Sequence, residues 1–459
     1  MNLLSLGLAG VGAIALWTLP RTFAALPLLL AAVYTTTGVA IEIGPANFSV
    51  LRLLVAVGVL RVLVRGESMA GGVGTTDRLM LAWAAWLVGS AVFHEPGTWI
   101  YRAGIVWSDL GCYVLLRVFV RDAQELLRLF GAACAALLPV SLLMLVETHT
   151  GENAFSVLGG VNPMAAMRDG QLRASGPFAH PILAGTVGAA CVPMAIALWR
   201  QRRGLALLGF FDAAAMLYAS HSSGPVLMAG FIVLALCFWP LRWHMREVRL
   251  ALVAAGIALQ GVMNDPFYFV LARVDIAGGS RGWHRAQLIR SALEHLDEWW
   301  LVGTDYTRHW MASGIYANRQ HTDITNHVLA MGVMGGLLLM LLFVAVLASA
   351  FRDVGRVVHA NGGAPDTVPG QAPDTAAGDG DNGARAAAPL PPDRLAWLLG
   401  ATLFGHLLNF MSVSVFDQSV FFVYLTLAGI AALVLHQGQA AAEEDTLPGH
   451  WHSRGMVRS

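Results

Sequence analysis

Between Arg319 and Leu339 the chain reads RQHTDITNHVLAMGVMGGLLL, with Arg319, His321, Asp323, Asn326 and His327 gathered just ahead of an apolar run. A histidine titrates near neutrality, and beside a carboxylate it is equipped to take a proton from a weak nucleophile. His321, Asp323 and His327 are also metal-ligand types at a spacing that brings side chains together. No other residue nearby looks like a further strong ligand, so a general base oriented by Asp323, without metal, is the simpler reading. A helix starting near Asp323 would take that residue as its N-cap and set Asn326 and His327 one turn in, facing the other helices.

A second polar group is MRDGQLRASGPFAHPILAG, residues 167–185, where Arg168, Arg173 and His180 precede Pro181. Proline is favoured in a helix's first turn, and a helix N-terminus with arginines before it attracts anions. Surface arginines that merely cap a loop are the plainer alternative. The turn HSSGP holds His221, Ser222 and Ser223, which are ordinary turn residues as much as site residues. Further candidates lie inside apolar runs, where a polar side chain is costly unless partnered: Arg52, Asp109, Asp212, His406 and Asn409. Interhelical hydrogen bonding or snorkelling would account for each of them. Asp109 has Arg102 and Arg117 one to two turns away as pairing partners.

The surrounding chain must hold these groups in a bilayer. Of 459 residues, 56% are hydrophobic and only 13% charged, with a mean hydropathy of +0.60, against roughly a quarter charged in soluble domains. The net charge is zero, which leaves no bulk field to collect nucleic acid. Every one of the 29 basic residues is arginine, a permanently charged fork suited to phosphate and carboxylate. Cys112, Cys134, Cys191 and Cys237 all sit in apolar runs and read as packing residues.

Hydropathy predicts about thirteen spans, at 3–19, 22–40, 47–64, 78–94, 101–118, 126–146, 181–199, 204–220, 223–239, 248–264, 325–350, 394–412 and 418–436. The fold class expected is an all-α polytopic membrane protein of about 12–14 transmembrane helices. The N-terminus lacks a basic region and runs on into further spans, so it reads as a first transmembrane helix and not as a cleaved signal. Five arginine-rich loops, around Arg61/Arg65/Arg78, Arg117/Arg121/Arg128, Arg200/Arg202/Arg203, Arg242/Arg246/Arg249 and Arg352/Arg356/Arg385/Arg394, then fall on one side, the cytoplasm by the positive-inside rule. The parts expected are N-terminal transmembrane helices (1–146), a core (147–351) that includes an outer loop at 265–324, a disordered cytoplasmic linker (352–393), C-terminal transmembrane helices (394–437) and a cytoplasmic tail (438–459). The linker is rich in Gly, Ala, Pro and Asp and cannot bury a core. In the outer loop, Ala286, Ile289, Leu293, Leu296 and Trp300 recur at steps of three and four, the pattern of an amphipathic helix lying in the headgroup zone as a lid.

Four blocks in order carry a family resemblance: RASGPFAHPILAG (173–185), ASHSSGP (219–225), SRGWHRAQLIRSALEHLDEWWLVGTDY (280–306) and HTDITNHVLAMGVMGG (321–336). Together they resemble the O-antigen polymerase and O-antigen ligase superfamily of bacterial inner-membrane proteins, in particular its exopolysaccharide polymerase branch. The resemblance implies a glycosyltransferase built of membrane helices and outer loops, with its site facing the periplasm and no metal or other cofactor. The donor would be a glycan on undecaprenyl diphosphate. The acceptor would be a sugar hydroxyl, on a second lipid-linked repeat in a polymerase or on lipid A-core in a ligase. A flippase, a chain-length regulator and export proteins are the partners such a protein would have. Carried onto matching positions, Arg173 and Arg281 bind the diphosphate and a histidine of the fourth block is the base. Arg168, His180, Arg319 and Arg52 complete the set of candidate anion binders. The chain has Ser223-Gly224-Pro225 where many relatives read Ser-Arg-Gly, and Asn326 precedes His327 where the common order is His-Asn. His321 and His327 therefore both stand as candidate bases, with His327 placed first. A transporter of a lipid-linked or anionic solute is the alternative from another class; it would place its ionisable groups at mid-bilayer, whereas here they crowd the outer face.

Overall fold

The computed structural model describes residues 2–270, 282–311, 314–361 and 390–446. It is mostly helical, with fifteen α-helices among the described residues. The amino-terminal part runs through α1 (Leu3–Thr18), α2 (Ala25–Tyr34), α3 (Val50–Arg65), α4 (Thr75–Gly89), α5 (Thr98–Phe119) and α6 (Ala123–Thr150). Then come α7 (Pro181–Leu198), α8 (Arg203–Ser220), α9 (Ser223–Cys237) and α10 (Met245–Val262). The outer loop carries α11 (Gly282–Glu294) and α12 (Leu296–Trp299), and α13 (His327–Asn361), α14 (Pro392–Phe410) and α15 (Val420–Thr446) close the chain.

Each of the thirteen apolar segments contains a helix. Three helices have by themselves the length and apolarity to cross a bilayer: α6, α7 and the stretch His327–Ala360 of α13. A fourth candidate is the pair Ser223–Cys237 and Trp239–Val262, bent by 74°. The second predicted span does not hold over its full length. Its helix α2 has ten residues, about 15 Å at 1.5 Å per residue, and residues 40–43 belong instead to a hairpin of β1 (Ala40–Ile43) with β2 (Ala46–Ser49). A second hairpin joins β3 (Ala166–Arg168) to β4 (Gln171–Arg173). At its turn Asp169 has φ 52° and Gly170 φ 76°, the pair of left-handed residues that an Asp-Gly two-residue turn supplies.

Local chemistry sets the helix ends. The Asp122 carboxylate accepts from Glu125 N at 2.7 Å to start α6, and His180 Nδ1 accepts from Ile182 N at 3.1 Å to start α7 at Pro181. Of the three helices able to cross a bilayer by themselves, α7 is the most enclosed, with 83% of it buried, and it is apolar all round as a central helix must be. Small residues let its neighbours close in: a Cβ on Gly188 would lie 2.7 Å from Met216 Cβ, and one on Gly185 2.6 Å from Ser220 Oγ. Outward, Leu60, Leu63, Val146, Leu207, Leu250 and Ile257 stay exposed, the surface that lipid would cover.

The described residues of the five arginine loops meet at one end of the bundle, Arg385 lying outside them. Arg117 forks onto Asp77 at 3.0 and 3.1 Å, and Arg121 Nη2 donates to Ser68 O at 2.8 Å, joining the first two. Arg128 and Arg202 line one cavity, joining the second and third. Thr76 Oγ1 donates to Asp353 at 3.2 Å, and Arg242 and Arg394 both lie over the Trp239 ring, bringing in the fourth and fifth. The opposite end gathers the remaining connections, for example His94 to Asp305 at 2.6 Å and Asn2 to Val157 O at 2.8 Å.

Helix α13 runs on to Asn361, ten residues into the stretch read as linker; residues 362–389 and the tail from 447 lie outside the described residues. Asp109 does not pair with Arg102 or Arg117. Arg102 donates to Ser90 Oγ at 2.8 Å and Arg117 is taken by Asp77, leaving Tyr424 and Arg52 as the groups that act on Asp109.

Candidate functional site

The first two blocks are stitched together at the loop-rich end of the bundle. Arg173, buried at the end of β4, donates from Nη2 to Ser222 Oγ at 2.6 Å and from Nε to Ser220 O at 3.2 Å. Ala174 N adds a bond to Ala219 O at 2.9 Å. Around this seam lies a cavity of about 230 Å³, lined by Arg168, Arg173, His221, Ser222 and Ser223 among others. Five residues picked out by type and spacing therefore share one concavity. Asp169 and His221 are the two non-glycine residues with positive φ among the described residues, and both line it. The Asp169 angle is ordinary turn chemistry. His221, φ 41°, stands just past α8 where glycine is the usual choice, so its imidazole is held there at a steric cost.

Blocks three and four form a second seam. Helix α13 breaks at Gly335 and Gly336, the latter with φ 75°. The outer-loop segment 299–304 enters the break: Leu337 N donates to Trp300 O at 2.8 Å and Thr304 N to Val333 O at 2.9 Å. Trp86 Nε1 donates to Gly335 O at 2.7 Å from the other side. Glycine is required here, because a Cβ on Gly332 would lie 2.5 Å from the Trp299 ring and one on Gly336 2.3 Å from Leu301 O. The Gly-x-x-Gly of the fourth block is thus the socket for the outer loop.

The helix start differs from expectation. The N-cap is Asn326, whose Oδ1 accepts from Leu329 N at 3.0 Å. Asp323 instead bonds through its backbone, N to Ile315 O at 2.8 Å and O from His284 Nε2 at 3.1 Å. His327, nine-tenths enclosed, has the Phe343 and Phe410 rings 5.2 and 5.0 Å away, and its Nδ1 accepts from Val415 N at 3.4 Å. It is not among the residues that line the cavity of Arg168 and Arg173. His321 is half-buried with Nδ1 3.3 Å from Thr307 Oγ1; burial lowers its pKa, against an upward pull from Asp305 and Glu95. Arg319 is exposed. Arg52 is a fastener, with Nε on Ser108 Oγ at 2.9 Å and Nη1 on Asn47 O at 2.8 Å and on the Asn47 side chain. His180 serves as the cap of α7, and Arg281 lies outside the described residues.

The amphipathic helix forms but is cut in two at His295, and its inward face differs from the predicted one. Gly282, His284, Ala286, Leu288, Ser291 and Ala292 are buried, while Leu293, Leu296 and Trp300 remain exposed as an apolar edge free to meet lipid.

Sequence reasoning passed over one segment, 411–419. Asp417 accepts from Ala179 N at 2.9 Å and Gln418 Nε2 donates to Pro177 O at 2.8 Å, while Val415 N reaches His327. This segment therefore links the first block to the fourth. Burial raises the Asp417 pKa, against the bonds from Ser419 and Ala179. Its one available signal was FDQS, an Asp, Gln and Ser between two apolar runs. Compared with known proteins, the chain matches no family model and no curated sequence.

Proposed function

We propose that the chain is a membrane glycosyltransferase that polymerises undecaprenyl-diphosphate-linked repeat units of an exopolysaccharide or O-antigen on the outer face of the bacterial inner membrane. In this reading the thirteen apolar segments all belong to the membrane domain and the arginine-rich end faces the cytoplasm. The observation that carries it is the cavity holding Arg168 and Arg173 beside His221, Ser222 and Ser223. At about 230 Å³ it is smaller than the roughly 300–1,000 Å³ that takes up a whole ligand. That size suits the diphosphate, with lipid and glycan outside.

The chemistry then follows. The acceptor hydroxyl oxygen attacks the anomeric carbon, the bond from that carbon to the diphosphate oxygen breaks, and the hydroxyl proton passes to a base. Guanidinium groups hold the charge that develops on the leaving diphosphate, and a placed base contributes about 10²–10⁴-fold. Among the fourth-block histidines, access favours His321 over His327, which is shut behind Phe343 and Phe410. No step calls on a metal.

The test is transfer by the purified chain in nanodiscs with undecaprenyl-diphosphate-linked repeats, read as product length on a gel. A ladder is expected, and Arg173→Lys should shorten it by weakening the fork. A single block joined to added lipid A-core would replace polymerase by ligase. Solute uptake by proteoliposomes with no glycan product would sink the proposal.

A further inference from the structure

Apart from the anion cavity, the outer loop brings three ligand-type side chains to one point. His295 sits at the break between α11 and α12, Glu298 in the short α12, and His309 in the 3-10 turn Arg308–Met311. One ligand atom from each lies within 4.8 Å of the other two. Four-coordinate zinc with bonds near 2.1 Å needs its ligand atoms about 3.4 Å apart, so side-chain adjustment alone closes the set.

The surroundings of these residues match what a metal's outer shell requires. His295 Nδ1 lies 2.8 Å from Ser291 O; a carbonyl can only accept, so Nδ1 carries the proton and Nε2 keeps its lone pair for a ligand. Glu298 Oε2 accepts from Trp310 Nε1 at 2.9 Å, which fixes the carboxylate and leaves Oε1 turned to His309 Nε2 at 2.9 Å. A histidine held through a carbonyl and a carboxylate held through an indole are the supports that orient metal ligands. The Trp310 ring stacks on His295 at 5.8 Å and Tyr306 on His309 at 5.2 Å, so both imidazoles have fixed planes. The Glu298 and His309 side chains retain 32% and 39% exposure, which leaves an entry path and room for a water as fourth ligand.

We propose that His295, Glu298 and His309 form a zinc site in the outer loop. Two imidazoles and one carboxylate make a borderline ligand set that suits zinc and disfavours calcium and magnesium, which take oxygen. The ion would cross-link the end of α11 to the turn at 308–311. The segment 299–304 that plugs the break in α13 lies between these two anchors, so the metal would brace the plug. This site does not depend on the glycosyltransferase reading, and it holds no reacting group.

The experiment uses the full-length chain, tag-free, in nanodiscs after chelator treatment. Titration with Zn²⁺ should show one equivalent bound per chain, and Co²⁺ in its place should give the intense visible absorption of a four-coordinate site. His295→Ala/His309→Ala should lose that equivalent and the absorption. Trp310→Phe, which removes the indole N–H that supports the carboxylate and trims the ring stacked on His295, should weaken binding about 10–100-fold. Hydrogen exchange at the Thr304 and Leu337 amides should slow on adding zinc to the wild type and not to the double variant. A wild-type chain that takes up no zinc, or a double variant that binds as tightly as wild type, overturns the proposal.

Discussion

Gly336→Ala tests whether the outer loop is held by the break in α13. At φ 75° and ψ −175°, a region essentially reserved for glycine, an alanine costs about 1–3 kcal/mol. Its Cβ would also stand 2.3 Å from Leu301 O, and since that neighbour is backbone the segment 299–304 must leave. Departure breaks Leu337 N to Trp300 O and Thr304 N to Val333 O, two bonds contributing about 0.5–1.5 kcal/mol each. The sum is about 2–6 kcal/mol against docking, or roughly 30-fold to more than ten-thousand-fold in the open population. Amide hydrogen exchange by mass spectrometry in nanodiscs reads this directly, as accelerated exchange in peptides covering 299–304 and 333–337. Gly355→Ala is the matched control, because nothing lies within 4 Å of a Cβ there, and replacing a helical glycine should be neutral or stabilise by about 0.5–1 kcal/mol. Unchanged exchange in Gly336→Ala would refute the socket, as would equal acceleration in Gly355→Ala.

Three other changes probe separate links. His221→Gly relieves the left-handed strain and should raise stability by about 1 kcal/mol while lowering transfer, measured by thermal unfolding beside the gel assay; a loss of stability would mean the imidazole is there for packing. Asn326→Ala removes the cap of α13 and should cost about 0.5–2 kcal/mol, whereas Asp323→Ala, whose side chain caps nothing, should cost less in the same unfolding measurement. His321 has a pKa below its ordinary 6.5 because it is buried, so between the two values the undocked loop binds more protons than the docked one. Loop stability should be complete above about pH 6.5 and fall as the pH drops toward the lowered value. Exchange protection of residues 314–324 should follow that profile and flatten in His321→Gln, and a flat wild-type profile would count against it.

What the sequence displayed and what it hid divide along physical lines. Helices followed from runs of apolar residues, and the arginine loops, chosen only for their charge, turned out to meet at one end through Arg117–Asp77, Thr76–Asp353 and the Trp239 ring. Arg168, Arg173 and the turn at His221 were legible because helix ends and turns state their chemistry locally. The end of α2 was marked by Thr35-Thr36-Thr37-Gly38, but the apolar residues on both sides carried the hydropathy pattern across it. The Asp-Gly at 169–170 did announce a hairpin, but an all-helical expectation masked it. Long-range choices were hidden for a different reason. Whether Asp323 or Asn326 caps α13 depends on where the helix starts, and that is decided by Asp323 N pairing with Ile315 O. Likewise no periodicity reveals that His327 faces two phenylalanines from α13 and α14.

That enclosure makes segment 411–419 the place where the two seams can act on each other. Asp417 accepts from Ala179 N, next to the cap of α7, and from Ser419 N at 2.9 Å, while Val415 two residues earlier bonds His327. In Asp417→Ala two donors lose their acceptor, at about 1–3 kcal/mol for a buried group. The segment should loosen and expose the His327 ring, which is only 9% accessible when packed. Diethyl pyrocarbonate labelling followed by mass spectrometry should then find His327 modified faster. His406, buried deeper in α14, should stay as slow as in the wild type. Asp417→Asn keeps one acceptor oxygen and should fall between. If labelling of His327 does not change in Asp417→Ala, the segment does not hold that histidine shut, and the first and fourth blocks are coupled by some other contact. If it accelerates and transfer falls with it, the closed imidazole is a state the protein leaves only when segment 411–419 moves, and access to His327 is set from the Arg173 side of the molecule.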